Sequence, residues 1–277
     1  MAVKMKWFAL LALLGCGWES DGLKRLEALY PSDAVEGATA DVLPEQPLSD
    51  PAGDAAPAKP LSGTYAVRMH QYGVVMSYPL DLSDLFVGKV SEDGKAIALT
   101  FCMQYGHVNS PVEHLGEQDP KPALIEALAS RPVQVPLDGG APKDAVVAWL
   151  WGVRLDDPVN DPLPETVTDH VEDWDKDGHP AVTVTVLNPK GDRYMARRAV
   201  WTLHSGYTGG DWTYGGLEFR IDQKAYGGNP PLLATEAPIS VDPARRSVWQ
   251  MRKESDGFDC KQLLAGWPDL FKDAPEL

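Results

Sequence analysis

The feature that most limits how this chain can fold is its succession of short, β-rich apolar runs separated by tight-turn signals. In "LFVGKV-SEDGK-AIALTFCM" (85–103) two such runs flank Asp93-Gly94, a pair suited to a tight hairpin because glycine takes a positive φ without steric cost. "AVTVTVLN-PKGD-RYMARRAVWTLHSG" (181–206) repeats the arrangement with Pro189 and Gly191 in the connection. "TYGGLEFRIDQKAY" then follows "TGGD", so three successive strands make a meander. Within "GTYAVRMHQYGVVMSY", Tyr65, Val67 and Met69 alternate with Ala66, Arg68 and His70, as a strand with one wet face requires. "DAVVAWLWGVRL" is apolar almost throughout and rich in Val and Trp, which favours a strand buried on both faces, and "RRSVWQMRK" reads as the closing strand. Helix is confined to "KPALIEALAS" and a short piece near "CKQLLAGW". Residues 61–277 are therefore expected to form a single all-β domain with minor α content. Its antiparallel meander closes into a barrel or sandwich, because closure removes exposed strand edges.

The first residues, "MAVKMKWFALLALLGCGWES", carry Lys4 and Lys6, then an apolar run from Trp7 to Leu14, then Gly15-Cys16. That is the layout of a secretory signal, and the run is too short to span a bilayer. Leu13-Leu14-Gly15-Cys16 resembles the lipobox of bacterial lipoproteins. The resemblance implies a signal peptide over 1–15 and a mature chain that begins at an acylated Cys16 and is anchored in the lipid bilayer of the cell envelope. Gly17, rather than Asp, implies transfer to the outer membrane. The alternative is an ordinary signal peptide with an accidental cysteine. From Pro31 to Pro60 the chain is dominated by Ala, Pro, Asp and Glu, so 16–60 reads as a lipidated N-terminus followed by a disordered tether.

With Cys16 acylated, Cys102 and Cys260 remain, an even number in a compartment where disulfides persist. Two readings stand for them: a disulfide closing a very long loop, or two separate buried thiols. "SGTYAV", with Gly63 and Tyr65, resembles the first strand of lipocalin-like barrels; the likeness is one of shape and brings no ligand with it.

"DWDKDGHP" (173–180) places Asp173, Asp175 and Asp177 on alternate positions before Gly178. This D-x-D-x-D-G pattern resembles an EF-hand-like calcium loop, in which alternate carboxylates converge on a hard cation while glycine permits the sharp turn. By that resemblance the three aspartates are the first, third and fifth ligands and His179 contributes its backbone oxygen. The twelfth position, where an EF-hand has glutamate, is Val184 inside a strand, and Pro180 offers no N–H to a partner loop. Asp169, Glu172, or Asp156, Asp157 and Asp161 are the candidates for the missing charge. The competing reading is a solvated acidic turn.

A formal net charge of −15 sets 25 basic residues against 40 acidic ones, which makes nucleic acid and anionic membrane surfaces poor partners. No H-E-x-x-H or G-x-S-x-G pattern is present, and His204 and Ser205, adjacent on a strand, point to opposite faces. His107 and His114 sit in a loop without a supporting signature. Trp201, Tyr207, Trp212, Tyr214 and Phe219 have two readings, the lining of a sugar or lipid pocket at one barrel end or packing in the β core, and core packing is the one expected. The function expected is that of a non-enzymatic envelope lipoprotein whose calcium-stabilised β domain binds a small molecule, a glycan or another envelope protein. The alternative is an exported hydrolase, for instance one acting on a glycan, with a site assembled from distant residues. A filled barrel favours the first; a deep pocket with facing carboxylates favours the second.

Overall fold

A computed structural model describes residues 56–57 and 59–277. The residues expected to form a signal peptide, Cys16 and most of the stretch read as tether lie outside the described residues. The strands, in chain order, are β1 (Ala56–Pro57), β2 (Thr64–Val75), β3 (Tyr78–Val90), β4 (Ala96–Val108), β5 (Gln118–Pro120), β6 (Val133–Pro136), β7 (Ala145–Trp151), β8 (Val182–Val186), β9 (Gly191–Gly209), β10 (Trp212–Asn229), β11 (Ile239–Val241) and β12 (Val248–Glu254). Two helices, α1 (Pro122–Ala129) and α2 (Cys260–Gly266), and two 3-10 turns at Pro231–Leu233 and Asp269–Phe271 complete the set.

The strands form one antiparallel twelve-stranded sheet, so the expected all-β class is observed. The long hairpins β2–β3, β3–β4 and β9–β10 supply most of it, and Gly94 makes the β3–β4 turn at φ +67°. β12 joins the halves by pairing with β10 on one side and β2 on the other. The circuit runs β6–β4–β3–β2–β12–β10–β9–β7 and returns with β6 beside β7, where no ladder forms among the described residues. β8 continues the line of β7 along β9, and β1 pairs there too, Ala56 opposite Thr208. The paired structure thus reaches into the stretch read as tether.

The inward-facing side chains fill the interior. Phe86, Phe101, Trp149, Trp151 and Trp201 are buried against one another, with Phe86 edge-on to Trp149 at 5.3 Å between centroids and Trp149 edge-on to Trp151 at 5.1 Å. α1 begins with Pro122, suited to a first helical position where no N–H is needed, and sends Leu124 and Leu128 into the same core.

A second apolar cluster lies on the outer face, where Ala66, Leu85, Cys102, Trp212 and Tyr214 meet Leu263 and Phe271. The C-terminal segment crosses that face as a strap. α2 starts with a reciprocal cap in which Asp259 accepts from the Gln262 N–H and Gln262 accepts from the Asp259 N–H. A disulfide joins Cys260 to Cys102 on β4, with Cα atoms 5.2 Å apart, so of the two readings the bonded one is observed.

Two face assignments are reversed. β2, expected to have a wet face, is buried on both faces because the strap covers its outer side. β7, expected to be buried on both, exposes its outer residues, with Val146 50% accessible. Trp201 and Phe219 pack inside the sheet as expected, whereas Trp212 and Tyr214, with Tyr207 against them, pack outside it under the strap.

Candidate functional site

The Asp173 loop occupies the approach to β8. Asp173, Asp175 and Asp177 each offer a carboxylate oxygen, and the three oxygens lie within 4.8 Å of one another. Oxygens on opposite sides of a calcium ion are separated by twice a metal–oxygen distance of about 2.4 Å, so the cluster has the span of a cation shell. The backbone achieves this by passing through positive φ at Lys176 (+56°) and Gly178 (+86°). Asp173 steadies the turn by accepting from the Gly178 N–H at 2.9 Å, and the Trp174 N–H closes the loop on the Ala181 carbonyl at 3.1 Å. Gly152, at φ +64°, is needed behind it, because a Cβ there would lie 2.6 Å from the Ala181 carbonyl carbon.

One oxygen of this cluster is unaccounted for. Asp175 is 8% exposed; its Oδ2 accepts from the Thr183 N–H at 2.8 Å, but its buried Oδ1 has no hydrogen-bond partner. A buried carboxylate oxygen left unpaired is costly, and a cation supplies the missing partner. Burial, the Asp177 charge and a carboxyl contact with Asp173 push Asp175 up to about 6. Thr183 Oγ1 donates to Asp177 at 2.6 Å and holds that carboxylate low against its own burial. The cluster can therefore hold a metal ion. The ring of His179 stacks on Tyr194 at 3.8 Å, and the His179 backbone N–H donates to Asp177.

The candidates for extra charge do not join the cluster. Glu172 accepts from the Trp174 indole at 2.9 Å, Asp157 caps its own loop through the Val159 and Asn160 N–H groups, and Asp169 lies beside His170. Trp174 instead faces Arg131, whose guanidinium sits 4.4 Å from the ring centroid. The two line a shallow, mostly apolar groove of about 410 Å³ over the β6–β7 seam.

A second concavity, of about 360 Å³, opens between the strap and the outer face of β3 and β4. Asp81, Tyr105, His107, Glu117, Asp119 and Trp267 line it. Glu117, only 7% exposed at its side chain, accepts from the Val108 N–H at 3.1 Å and contacts Nδ1 of His107 at 2.9 Å and of His114 at 2.6 Å. Burial opposes its charge, yet those three partners hold its pKa below the ordinary range, and Glu117 raises that of His114 in return. Asp81, 2.8 Å from His70 Nε2, is likewise kept low by His70 and Arg245 despite burial. Tyr105 and Trp267 stack nearly parallel, 5.1 Å apart and 5° inclined. The sequence separates these residues widely, and only the β3–β4 register, which sets Asp81 opposite His107, hints at their meeting.

A third polar group lies inside the sheet. Asp84, fully buried, accepts from Gln71 at 2.6 Å and from Gln104, and Gln104 in turn accepts from Arg197 at 2.8 Å. Burial raises Asp84 and lowers Arg197, while their mutual attraction acts against both shifts. Asp84 breaks the inward alternation Leu80, Leu82, Phe86, and that break was its only signal in the sequence. His204 stands between Asp144 and Glu218 and not with Ser205. Neither family models, nor curated proteins, nor solved structures give a match to this chain.

Proposed function

We propose that this protein is a bacterial envelope lipoprotein, held at the membrane through an acylated Cys16, whose calcium-clipped β domain binds a ligand or envelope partner without transforming it. The observation that carries the metal assignment is the buried, unpartnered Oδ1 of Asp175 inside a cluster of three aspartates. An all-oxygen set on an irregular loop favours calcium over magnesium, which demands near-octahedral geometry, and over zinc, which prefers nitrogen and sulfur. Occupancy would tie the 173–177 loop to the start of β8 through Thr183, which bonds two of the three aspartates.

Binding is favoured over hydrolysis by the interior. The interior of the sheet is filled with apolar and aromatic side chains, which leaves no deep internal pocket with facing carboxylates among the described residues. The disulfide and the lipobox resemblance both suit an exported protein.

Terbium, which replaces calcium at oxygen sites and is excited by a nearby indole, tests the metal directly because Trp174 lies between two of the ligands. Sensitised luminescence is expected in the native protein, displaced by calcium and lost in Asp175→Asn. Calcium at a hundred times its Kd should stabilise the native protein by about 2.7 kcal/mol and leave the variant unmoved. Equal responses from the two proteins would remove calcium from the account, and mass analysis showing an intact leader would remove the anchor.

A further inference from the structure

The cleft beneath the strap carries an electrostatic imbalance. Three carboxylates, Asp81, Glu117 and Asp119, line it, while Lys and Arg are absent from its lining among the described residues. His70 lies against Asp81, and His107 and His114 lie against Glu117, but no ion pair engages Asp119 among the described residues. His70, His107 and His114 offset the charge of Asp81 and Glu117, so Asp119 is the carboxylate left for a ligand.

The lining also includes an aromatic pair. Tyr105, 38% exposed, and Trp267 form a stacked pair, with Trp267 further braced by Phe271 at 5.9 Å. A π-face beside a carboxylate that no ion pair engages, here Asp119, is the combination that attracts a cation with an apolar body, since the ring quadrupole and the formal charge act in the same direction. A volume of about 360 Å³ lies within the range of small-molecule sites, roughly 300–1,000 Å³.

We propose that the cleft formed by Asp81, Glu117, Asp119, Tyr105 and Trp267 is a binding site for a small organic cation, an alkylammonium or quaternary ammonium group. Asp119 supplies the counter-charge and the Tyr105–Trp267 wall takes the alkyl portion. The strap is part of the site, because Trp267 follows directly on α2, which the Cys102–Cys260 disulfide ties to β4. This inference rests on the reading of the domain as a binding domain and names the ligand class; it does not depend on the Asp173 loop.

Choline is the probe, with 3,3-dimethylbutan-1-ol as its uncharged isostere and glucose as a neutral sugar, each titrated calorimetrically into the full domain. Saturable choline binding is expected, with no binding of the isostere or of glucose, and choline is recovered unchanged. Asp119→Asn should weaken it about tenfold, as should Trp267→Ala, with Trp267→Phe recovering part of the loss. Equal binding of the isostere, preferential binding of glucose, or no saturable choline binding while terbium luminescence is intact would overturn the cleft assignment and leave the metal loop standing. Chemical conversion of bound choline would instead overturn the non-enzymatic reading.

Discussion

At the scale of single residues, Glu117 shows how a buried charge is made tolerable. Its carboxylate meets one backbone N–H and two imidazoles, so ionisation replaces water with fixed donors. The linkage has two limbs. The folded-state pKa of Glu117 is lowered, so its stabilisation is present above the ordinary value of 4.5 and lost as pH falls through the lower folded value. That of His114 is raised, so its contribution is present below 6.5 and lost as pH climbs through the higher folded value. Urea midpoints measured across pH should place the largest difference between the native protein and Glu117→Gln between about 4.5 and 6.5, narrowing on both sides. A pH-independent difference would show that Glu117 acts by packing alone. Asp175 is the opposite case, since burial and the neighbouring aspartates push its pKa upward while its Oδ1 has no hydrogen-bond partner.

Among the elements, the strap has the largest consequence for its length. Its contacts convert the outer face of β2 from solvated to buried, and its Trp267 completes the cleft. Local sequence supports α2 through the Asp259–Gln262 cap, but so short a helix is marginal by itself, and the disulfide holds it in place. The bond links residues 158 apart in sequence, for which chain-entropy arguments allow at most about 5 kcal/mol. Cys102→Ser/Cys260→Ser should lower stability by about 2–4 kcal/mol and make the chain beyond Glu254 sensitive to limited proteolysis while the rest resists. Uniform digestion would mean that the strap is integral to the barrel and not a separate covering. The β6–β7 seam shows the reverse, with two edges side by side, unladdered and uncovered at Val146.

For the molecule as a whole, the interior of the sheet combines an aromatic core with the Asp84–Gln104–Arg197 network. Two buried opposite charges bridged in this way by Gln104 give little net stability, because desolvation offsets attraction, but removing one strands the other. Asp84→Leu leaves the Arg197 guanidinium uncompensated, with Nε and Nη2 already lacking partners, and should cost about 3–5 kcal/mol in chemical denaturation. Replacing both, Asp84→Leu with Arg197→Leu, should cost less than the sum of the single changes. Strict additivity would show that the two do not interact across Gln104. Gln71 extends the network by accepting from the Trp201 indole at 3.3 Å, so a polar thread runs through an otherwise apolar interior.

The amino-acid sequence by itself determined what depends on neighbours along the chain. Turn chemistry at Gly94, alternation along the strands, Pro122 at the start of α1 and the aspartate spacing of 173–177 all act within a few residues, and each was legible for that reason. The tertiary structure alone decided which faces are wet. Whether β2 or β7 is covered depends on where the strap lands, and the disulfide pairing and sheet register set that. The same holds for the meeting of His107 and His114 on Glu117, for the pairing of Asp84 with its glutamines, and for the cleft wall of Tyr105 and Trp267. Such contacts join residues whose sequence separation carries no periodic signal. Their free energy comes from burial and charge in an environment that exists only once the sheet has closed.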